Sequence, residues 1–316
     1  MTPAAAETIL DHAFVGQPSP ALATTLALLA VQRGEVVAER YGEGVAADTT
    51  LISWSMAKSI TQALVGFAVA DGRLDIHAPA PVTEWSAPDD PRRAITVDQL
   101  LRMCSGLVFC EDYVDERVSD VMTMLFGEGQ EDTAAFAAGF SLAHQPGTVF
   151  NYSSGTTNIV ARIVGDLYGG RPGVEALLAD RLFGPLGMRS AVAKFDPAGT
   201  FVGSSYVYAT ARDFARFGQL YLDEGEAGGR QLLPASWIDY ARTESPVPSG
   251  AGEQPYGAHW WRFPPVPGSF AAQGYQGQRT LVVPDLDLVV VRLGITPVEL
   301  KANLDGWLTA LVDALR

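Results

Sequence analysis

Ser55 and Lys58 form an S-x-x-K pattern at the start of a long apolar stretch with helical periodicity. Residues three apart share one face of a helix, so the serine hydroxyl and the lysine amine can meet. Burial disfavours the charged form of a lysine, and an amine with a lowered pKa can take the proton of a serine hydroxyl. The spacing therefore predicts a nucleophile and its base, although a surface lysine one turn after a capping serine would show the same pattern.

Two further segments contain residues that could complete a catalytic site with Ser55 and Lys58. Tyr152 lies in the turn-forming segment 146–155, just before a helix predicted to begin near Thr156. A tyrosine beside a lysine ammonium can relay protons, because the cation stabilises its phenolate. In the segment 270–278, Gly274 and Gly277 allow a strand backbone to approach a ligand closely.

Other common catalytic and binding motifs are weak or missing. The segment 42–47 fits a loose dinucleotide pattern, but a turn and strand are predicted after it where a helix is required. No Walker motif, H-E-x-x-H or G-x-S-x-G is present, and the four histidines are scattered. Cys104 and Cys110 lack a nearby histidine, so two free thiols are favoured over a metal site. We therefore predict no metal and no cofactor.

Composition limits the partners of the chain. Its 316 residues carry 22 Lys plus Arg against 36 Asp plus Glu, a net charge of −14 that disfavours nucleic acids and anionic membranes. Hydrophobic residues make up 47% of the chain and charged residues 18%, which argues against disorder. The N-terminus lacks a basic segment before an apolar one, so no signal peptide is predicted and a cytoplasmic location is expected.

The predicted elements suggest an α+β fold. Strands are expected at both ends of the sequence, namely at 26–32, 36–41, 256–263, 269–274, 278–283 and 287–293. Helices are expected at 6–14, from Ser55 to about residue 70, at 97–103, 156–167 and 211–222, and at 297–316. Because the strands follow one another as hairpins, the two ends should build one antiparallel sheet flanked by helices. We expect a sheet domain from 1–72 and 251–316, a mostly helical domain from 73–250, and the active site between them.

These elements together resemble the serine β-lactamase and penicillin-binding protein superfamily. The similarity is greatest to its class C-like branch, which includes esterases, D-aminopeptidases and 6-aminohexanoate-dimer (nylon oligomer) hydrolases. It covers nearly the whole chain and includes, in order, the nucleophile motif at 53–59 and the segments 95–107, 186–190, 209–218 and 256–261.

The resemblance implies roles for particular residues. Ser55 would be the acyl-forming nucleophile, Lys58 its base, and Tyr152 the relay of a proton to the leaving group. The backbone N–H groups of Ser55 and Tyr275 would form the oxyanion hole. Tyr113 stands where the nylon-oligomer subgroup has a substrate-loop tyrosine, although an ordinary loop aromatic is an equal alternative. Further candidate substrate contacts lie at motif positions, namely Ser154 and Gly274.

Two motif positions depart from the family pattern. The usual Tyr-x-Asn ends here in Ser154, which removes an amide that would hold a substrate carbonyl. A second family motif usually has Lys or His, then Thr or Ser, then Gly. Here the three residues are Ala272, Gln273 and Gly274, so the first two positions differ. This removes the groups that bind the carboxylate of a β-lactam or a D-Ala-D-Ala peptide, and a buried carboxylate without a charged partner is strongly disfavoured.

The sequence therefore predicts a cofactor-free serine hydrolase that cleaves a small amide or ester. Two alternatives stay open at this point: a β-lactamase or D,D-peptidase, and a non-catalytic binding relative of the same fold. The complete set of Ser55, Lys58 and Tyr152 argues against the binding relative. The choice between amide and ester is also open, and a homodimer is compatible with the sequence.

Overall fold

A six-stranded antiparallel sheet forms the centre of the computed structural model, which describes residues 4–113 and 119–316. The strands, in chain order, are β1 Thr24–Gln32, β2 Glu35–Tyr41, β3 Leu51–Ile52, β4 Val192–Ala193, β5 Val207–Ala209, β6 Glu226–Ala227, β7 Arg230–Gln231, β8 Trp261–Arg262, β9 Phe270–Gly274, β10 Gln278–Val283 and β11 Leu288–Ile295. The helices are α1 Ala4–Phe14, α2 Ala57–Ala70, α3 Val97–Leu101, α4 Asp120–Phe126, α5 Thr133–Ala138, α6 Ser154–Tyr168, α7 Arg171–Leu177, α8 Gly184–Leu186, α9 Ala211–Leu222, α10 Ala235–Arg242 and α11 Lys301–Ala314.

The large sheet joins strands from both ends of the sequence in the order β2-β1-β11-β10-β9-β8. The N-terminal and C-terminal strands meet where β1 pairs with β11, in a register that sets Leu29 opposite Val291. Both strands are rich in β-branched and aliphatic residues and are buried on both faces, which explains their nearly continuous apolar sequences. The sheet places β9, which carries Gly274, near the outer edge beside the short β8.

Side chains alternate between two hydrophobic cores on the opposite faces of this sheet. One core packs Leu28, Leu281 and Val290 against the terminal helices α1 and α11. The other packs Leu29, Val282 and Val291 against α2, α9 and the helical middle of the chain. The second core fixes α2, and with it the predicted nucleophile, against the sheet.

The predicted α+β class and the sheet built from both ends of the sequence are confirmed. The division into two domains stays a prediction. The strand predicted at 256–263 was wrong in extent, because only Trp261–Arg262 pair with β9. Ahead of it, Pro255 cannot donate a ladder hydrogen bond and His259 has a φ of +57°, so the backbone turns instead of extending.

Two short sheets were not predicted from the sequence, although the strand predicted after residue 47 is present in one of them as β3. One pairs β3, β5 and β4, and the other is the β6–β7 hairpin. Two- and three-residue strands are too short to show a periodic pattern. Across residues 4–113 and 119–316, no helix is both long enough and apolar enough to cross a membrane.

Candidate active site

The nucleophile candidate Ser55 lies in a tight turn between strand β3 and helix α2. The 3₁₀ turn Trp54–Met56 runs directly into α2, so the helix begins two residues later than the sequence predicted. Trp54 has a φ of +44°, a left-handed conformation that is costly for a residue with a large side chain. On the strand side, the N–H of Ser53 donates to the Val207 carbonyl of β5 at 2.8 Å. This strained turn holds Ser55 at the N-terminal end of the helix, 8% exposed.

Lys58 lies one turn further along and is 1% exposed. Its Nζ is 2.9 Å from Ser55 Oγ, 2.9 Å from Ser154 Oγ and 3.1 Å from the Ser204 carbonyl oxygen. Burial lowers the pKa of Lys58 to about 8, and the charge of Glu111 opposes this effect. The lowered pKa brings the titration of this amine close to neutral pH, so its neutral form is accessible there. The sequence prediction that Lys58 is buried beside Ser55 agrees with this geometry.

Tyr152 approaches the same pair from the segment before α6. Lys58 Nζ lies 4.8 Å from the centre of the Tyr152 ring. Burial raises the pKa of the Tyr152 hydroxyl, and its hydrogen bonds with Ser55 and Trp261 oppose that effect. The ring also packs on Trp261, with centroids 5.2 Å apart. Tyr152 is thus a neutral phenol at physiological pH, with its hydroxyl next to the Ser55 oxygen.

Gly274, at the end of β9, lies against the nucleophile turn. A Cβ placed on Gly274 would be 2.4 Å from the Ser53 carbonyl oxygen and 3.2 Å from the Ser55 nitrogen. The φ of Gly274 is −130°, so the glycine is needed for close approach and not for an unusual backbone conformation. This contact sets the backbone N–H of Ser55 beside the start of the turn 275–277, where the second predicted oxyanion donor, Tyr275, is located.

Tyr113 and Tyr275 stack on each other at the entrance to the site. Their ring centroids are 4.5 Å apart with an interplanar angle of 17°, and Trp54 meets Tyr275 edge-on at 5.7 Å. The Tyr113 hydroxyl donates to Glu111 Oε1 at 3.1 Å. The structure therefore brings the predicted substrate-loop tyrosine onto the residue that carries the predicted oxyanion donor.

Ser154 lies at the first turn of α6 and is fully buried. Its hydroxyl interacts with Lys58 and with Glu111, and its backbone N–H donates to Glu111 Oε2 at 2.7 Å. The Ser154 side chain is thus hydrogen-bonded within the protein, and its role as a substrate contact stays a prediction. Glu111 was not identified from the sequence, because a single carboxylate in a loop belongs to no motif.

The segment 272–274, which departs from the family motif, lies on strand β9. Ala272 is buried on the sheet face that packs against α2, at the position where the family pattern has a cation. Gln273 points to the other face of the strand and forms a hydrogen bond with Gln254. Neither residue offers a charge to a substrate. Arg279, on the neighbouring strand, is buried with its guanidinium 3.6 Å from Asp305.

His259, one of the four scattered histidines, is buried and hydrogen-bonded on both ring nitrogens. Nδ1 is 2.8 Å from the Leu101 carbonyl oxygen and Nε2 is 2.9 Å from Thr157 Oγ1. Burial lowers the pKa of His259 to about 3, so the ring is neutral. This histidine fixes the segment before β8 to helices α3 and α6.

The two cysteines are free thiols, as favoured from the sequence. Burial raises the pKa of Cys104 to about 11, which keeps this thiol protonated and unreactive. Among the residues that the structure describes, no three His, Cys, Asp or Glu side chains are grouped as metal ligands would be.

Comparison with known proteins adds independent evidence. A family model described as Beta-lactamase matches residues 20–312. The 6-aminohexanoate-dimer hydrolase of Paenarthrobacter ureafaciens is 33% identical over 298 residues, which cover 86% of this chain and 73% of that protein. A solved structure from Bacillus anthracis, provisionally named a 6-aminohexanoate-dimer hydrolase, superposes with a TM-score of 0.79 at 24% identity, over 98% of this chain and 80% of that one. A family VIII carboxylesterase structure has a TM-score of 0.68 at 16% identity, over 91% and 92% of the two chains.

Proposed function

Because the chain belongs to the β-lactamase family of serine hydrolases, we propose that it cleaves a small amide or ester through an acyl-enzyme on Ser55. One observation carries the proposal: the buried Lys58 amine lies 2.9 Å from the Ser55 hydroxyl. A lysine with a pKa near 8 is suited to general base catalysis at neutral to mildly alkaline pH.

Acylation begins with a proton transfer from Ser55 to neutral Lys58. The Ser55 oxygen then forms a bond to the substrate carbonyl carbon, and the carbonyl π electrons move to oxygen. The backbone N–H groups of Ser55 and Tyr275 are proposed to stabilise the resulting oxyanion. Gly274 packs closely against the Ser55 backbone, since a Cβ built on this glycine would lie 3.2 Å from the Ser55 nitrogen. This close packing supports the proposed role.

Collapse of the tetrahedral intermediate re-forms the carbonyl and breaks the bond to the leaving group. Tyr152 is proposed to give its proton to the departing nitrogen or oxygen and to regain one from Lys58. A water molecule then attacks the acyl carbon and gives its proton to Lys58 through the same groups. Collapse of the second intermediate returns a proton to Ser55 and releases the acid.

The substrate is proposed to lack a carboxylate next to the scissile bond. Ala272 replaces a cation of the family motif, and the Ser154 hydroxyl is already hydrogen-bonded to Lys58 and Glu111. The stacked rings of Tyr113 and Tyr275 suit an apolar chain. Both a 6-aminohexanoate-dimer hydrolase and a carboxylesterase are among the similar proteins, so a short-chain amide and a short-chain ester are the substrates to test.

The experiment measures rapid release of p-nitrophenol from p-nitrophenyl acetate, with intact-protein mass to locate the acyl group. The wild-type protein should show a burst and a mass increase on Ser55, and Ser55→Ala should show neither. Equal release by both proteins would refute the acyl-enzyme. Rapid turnover of the cephalosporin nitrocefin would instead point to a β-lactamase.

A further inference from the structure

We propose that Glu111 is a positioning residue that, through Ser154, aims the lone pair of Lys58 at Ser55 and stabilises the ammonium that forms there. This inference rests on the proposed function and adds a residue that neither the sequence motifs nor the likeness to known proteins assigns. The basis is a continuous hydrogen-bonded chain from Ser55 to Lys58, Ser154 and Glu111.

The direction of each hydrogen bond in this chain follows from the chemistry of its end members. An ionised carboxylate only accepts hydrogen bonds, so the Ser154 hydroxyl donates to Glu111 and presents its oxygen to Lys58. The Ser204 carbonyl also only accepts, so Lys58 donates to it at 3.1 Å. A neutral amine has two N–H groups and one lone pair. With both N–H groups used, the lone pair is left for the Ser55 hydroxyl at 2.9 Å.

The Glu111 carboxylate accepts hydrogen bonds from the Ser154 N–H at 2.7 Å and from the Tyr113 hydroxyl at 3.1 Å. Three further contacts hold the preceding residues, Phe109 and Cys110, in place. The Asn151 side chain donates to the Phe109 carbonyl at 3.1 Å, and the Cys110 N–H donates to Asp120 Oδ2 at 2.7 Å. A Cβ on Gly155 would lie 2.7 Å from the Phe109 ring, so only a glycine lets this segment pack so closely on α6. The carboxylate therefore stays beside the first turn of α6.

The charge of Glu111 acts on Lys58 in a definite direction. A negative charge nearby favours the ammonium, so Glu111 raises the pKa of Lys58 against the lowering by burial. The other titratable groups that face this cluster are Tyr113 on the same loop, Tyr152 before α6, Tyr256 and His259 before β8, and Arg279 on β10. The three tyrosines have raised pKa values and His259 a lowered one, so the tyrosines and the histidine stay neutral between about pH 5 and 9, where Lys58 titrates.

The test compares Glu111→Gln with Glu131→Gln, an exposed residue whose substitution removes the same charge elsewhere. The readout is the pH dependence of Ser55 labelling by a fluorophosphonate, in which an Oγ–P bond forms as fluoride leaves. For Glu111→Gln we expect the plateau rate to fall by roughly 10-fold or more. We expect the acid limb of the profile to move to lower pH by about one unit. Glu131→Gln should keep the wild-type profile.

A purely structural role for Glu111 would lower thermal stability and leave the acid limb in place, and that result would overturn the proposal. Ser154→Ala provides a second variant, which breaks the chain but keeps the carboxylate. It should lower the plateau with a smaller shift of the limb, and an unchanged plateau would also overturn the proposal. If wild-type Ser55 is not labelled at all, the proposed function fails together with this inference. Labelling that does not change in Glu111→Gln refutes this inference alone.

Discussion

The close approach of Gly274 to the nucleophile turn gives a sharp prediction for Gly274→Ala. The added Cβ would lie 2.4 Å from the Ser53 carbonyl oxygen, whereas ordinary van der Waals contact begins near 3.4 Å. The Gln278 Cβ would also lie 3.0 Å away and the Ser55 nitrogen 3.2 Å away. All three atoms are backbone or directly bonded to it, so rotation of a side chain cannot relieve the contact. Strand β9 and the turn must therefore separate by about 1 Å, and a displacement of that size at a catalytic centre can cost roughly 100-fold in rate.

We expect the Gly274→Ala substitution to slow the chemical step. Removing one oxyanion donor lowers kcat by roughly 100- to 1,000-fold, about 3 to 4 kcal/mol of transition-state stabilisation. We expect the acylation rate, measured as the p-nitrophenol burst, to fall by roughly that factor, with a smaller change in KM. Burst kinetics and thermal unfolding should be measured on the same samples, so that lost activity can be separated from lost folding.

Gly306→Ala is the matched control for Gly274→Ala. Gly306 lies in helix α11, and a Cβ on it would have nothing within 4 Å. This variant should keep wild-type kinetics and gain up to about 1 kcal/mol of stability, because alanine is the better helix former. Acylation by Gly274→Ala within about threefold of wild type would refute the argument that this close contact maintains the oxyanion hole.

Three further predictions concern titratable groups. Lys58→Arg should keep the charge but lose roughly 100- to 10,000-fold in acylation rate, because arginine cannot act as a base. In the wild-type protein the acylation rate should rise with pH through about 8, as the Lys58 ammonium loses its proton. A profile that is flat from pH 6 to 9 would contradict Lys58 as the base. His259 has a folded pKa of about 3, below its ordinary value of 6.5, so its stabilising effect is complete above pH 6.5 and is lost as the pH falls toward 3. Urea unfolding should be measured as a function of pH for the wild type and for His259→Gln. The free energy of unfolding of the wild type should fall by up to about 1.4 kcal/mol more per pH unit in this window than that of the variant. If the two free energies change in parallel with pH, the ring is not neutral in the folded state.

The contact between the proposed catalytic residues Ser55 and Lys58 could be predicted from the sequence because it depends on local geometry. Ser55 and Lys58 are three residues apart at a helix start, and that spacing alone brings their side chains together. The long strands around β11 were predicted for a similar reason, since a continuous apolar sequence of that length indicates a buried strand.

The partners of Lys58 could not be predicted in this way. Glu111 reaches Ser154 only because Gly155 allows the Phe109 ring to pack against helix α6. That contact joins residues distant in sequence, and no periodic pattern records it. The role of His259 was also hidden, because its hydrogen bonds to Leu101 and Thr157 depend on the tertiary packing of three segments.

The pairing of β1 with β11 has a consequence for how the chain acquires its active site. Strand β11 lies between β1 and β10, and the entire helical middle of the chain separates β1 from these partners in sequence. Ser55 can meet the end of β9 only after that long loop has closed, which costs conformational entropy and makes folding slow. A chain that stops before residue 288 would leave β1 and β10 without the strand that joins them. Hydrolytic activity should therefore appear late in synthesis and all at once, and partial translation products should have none.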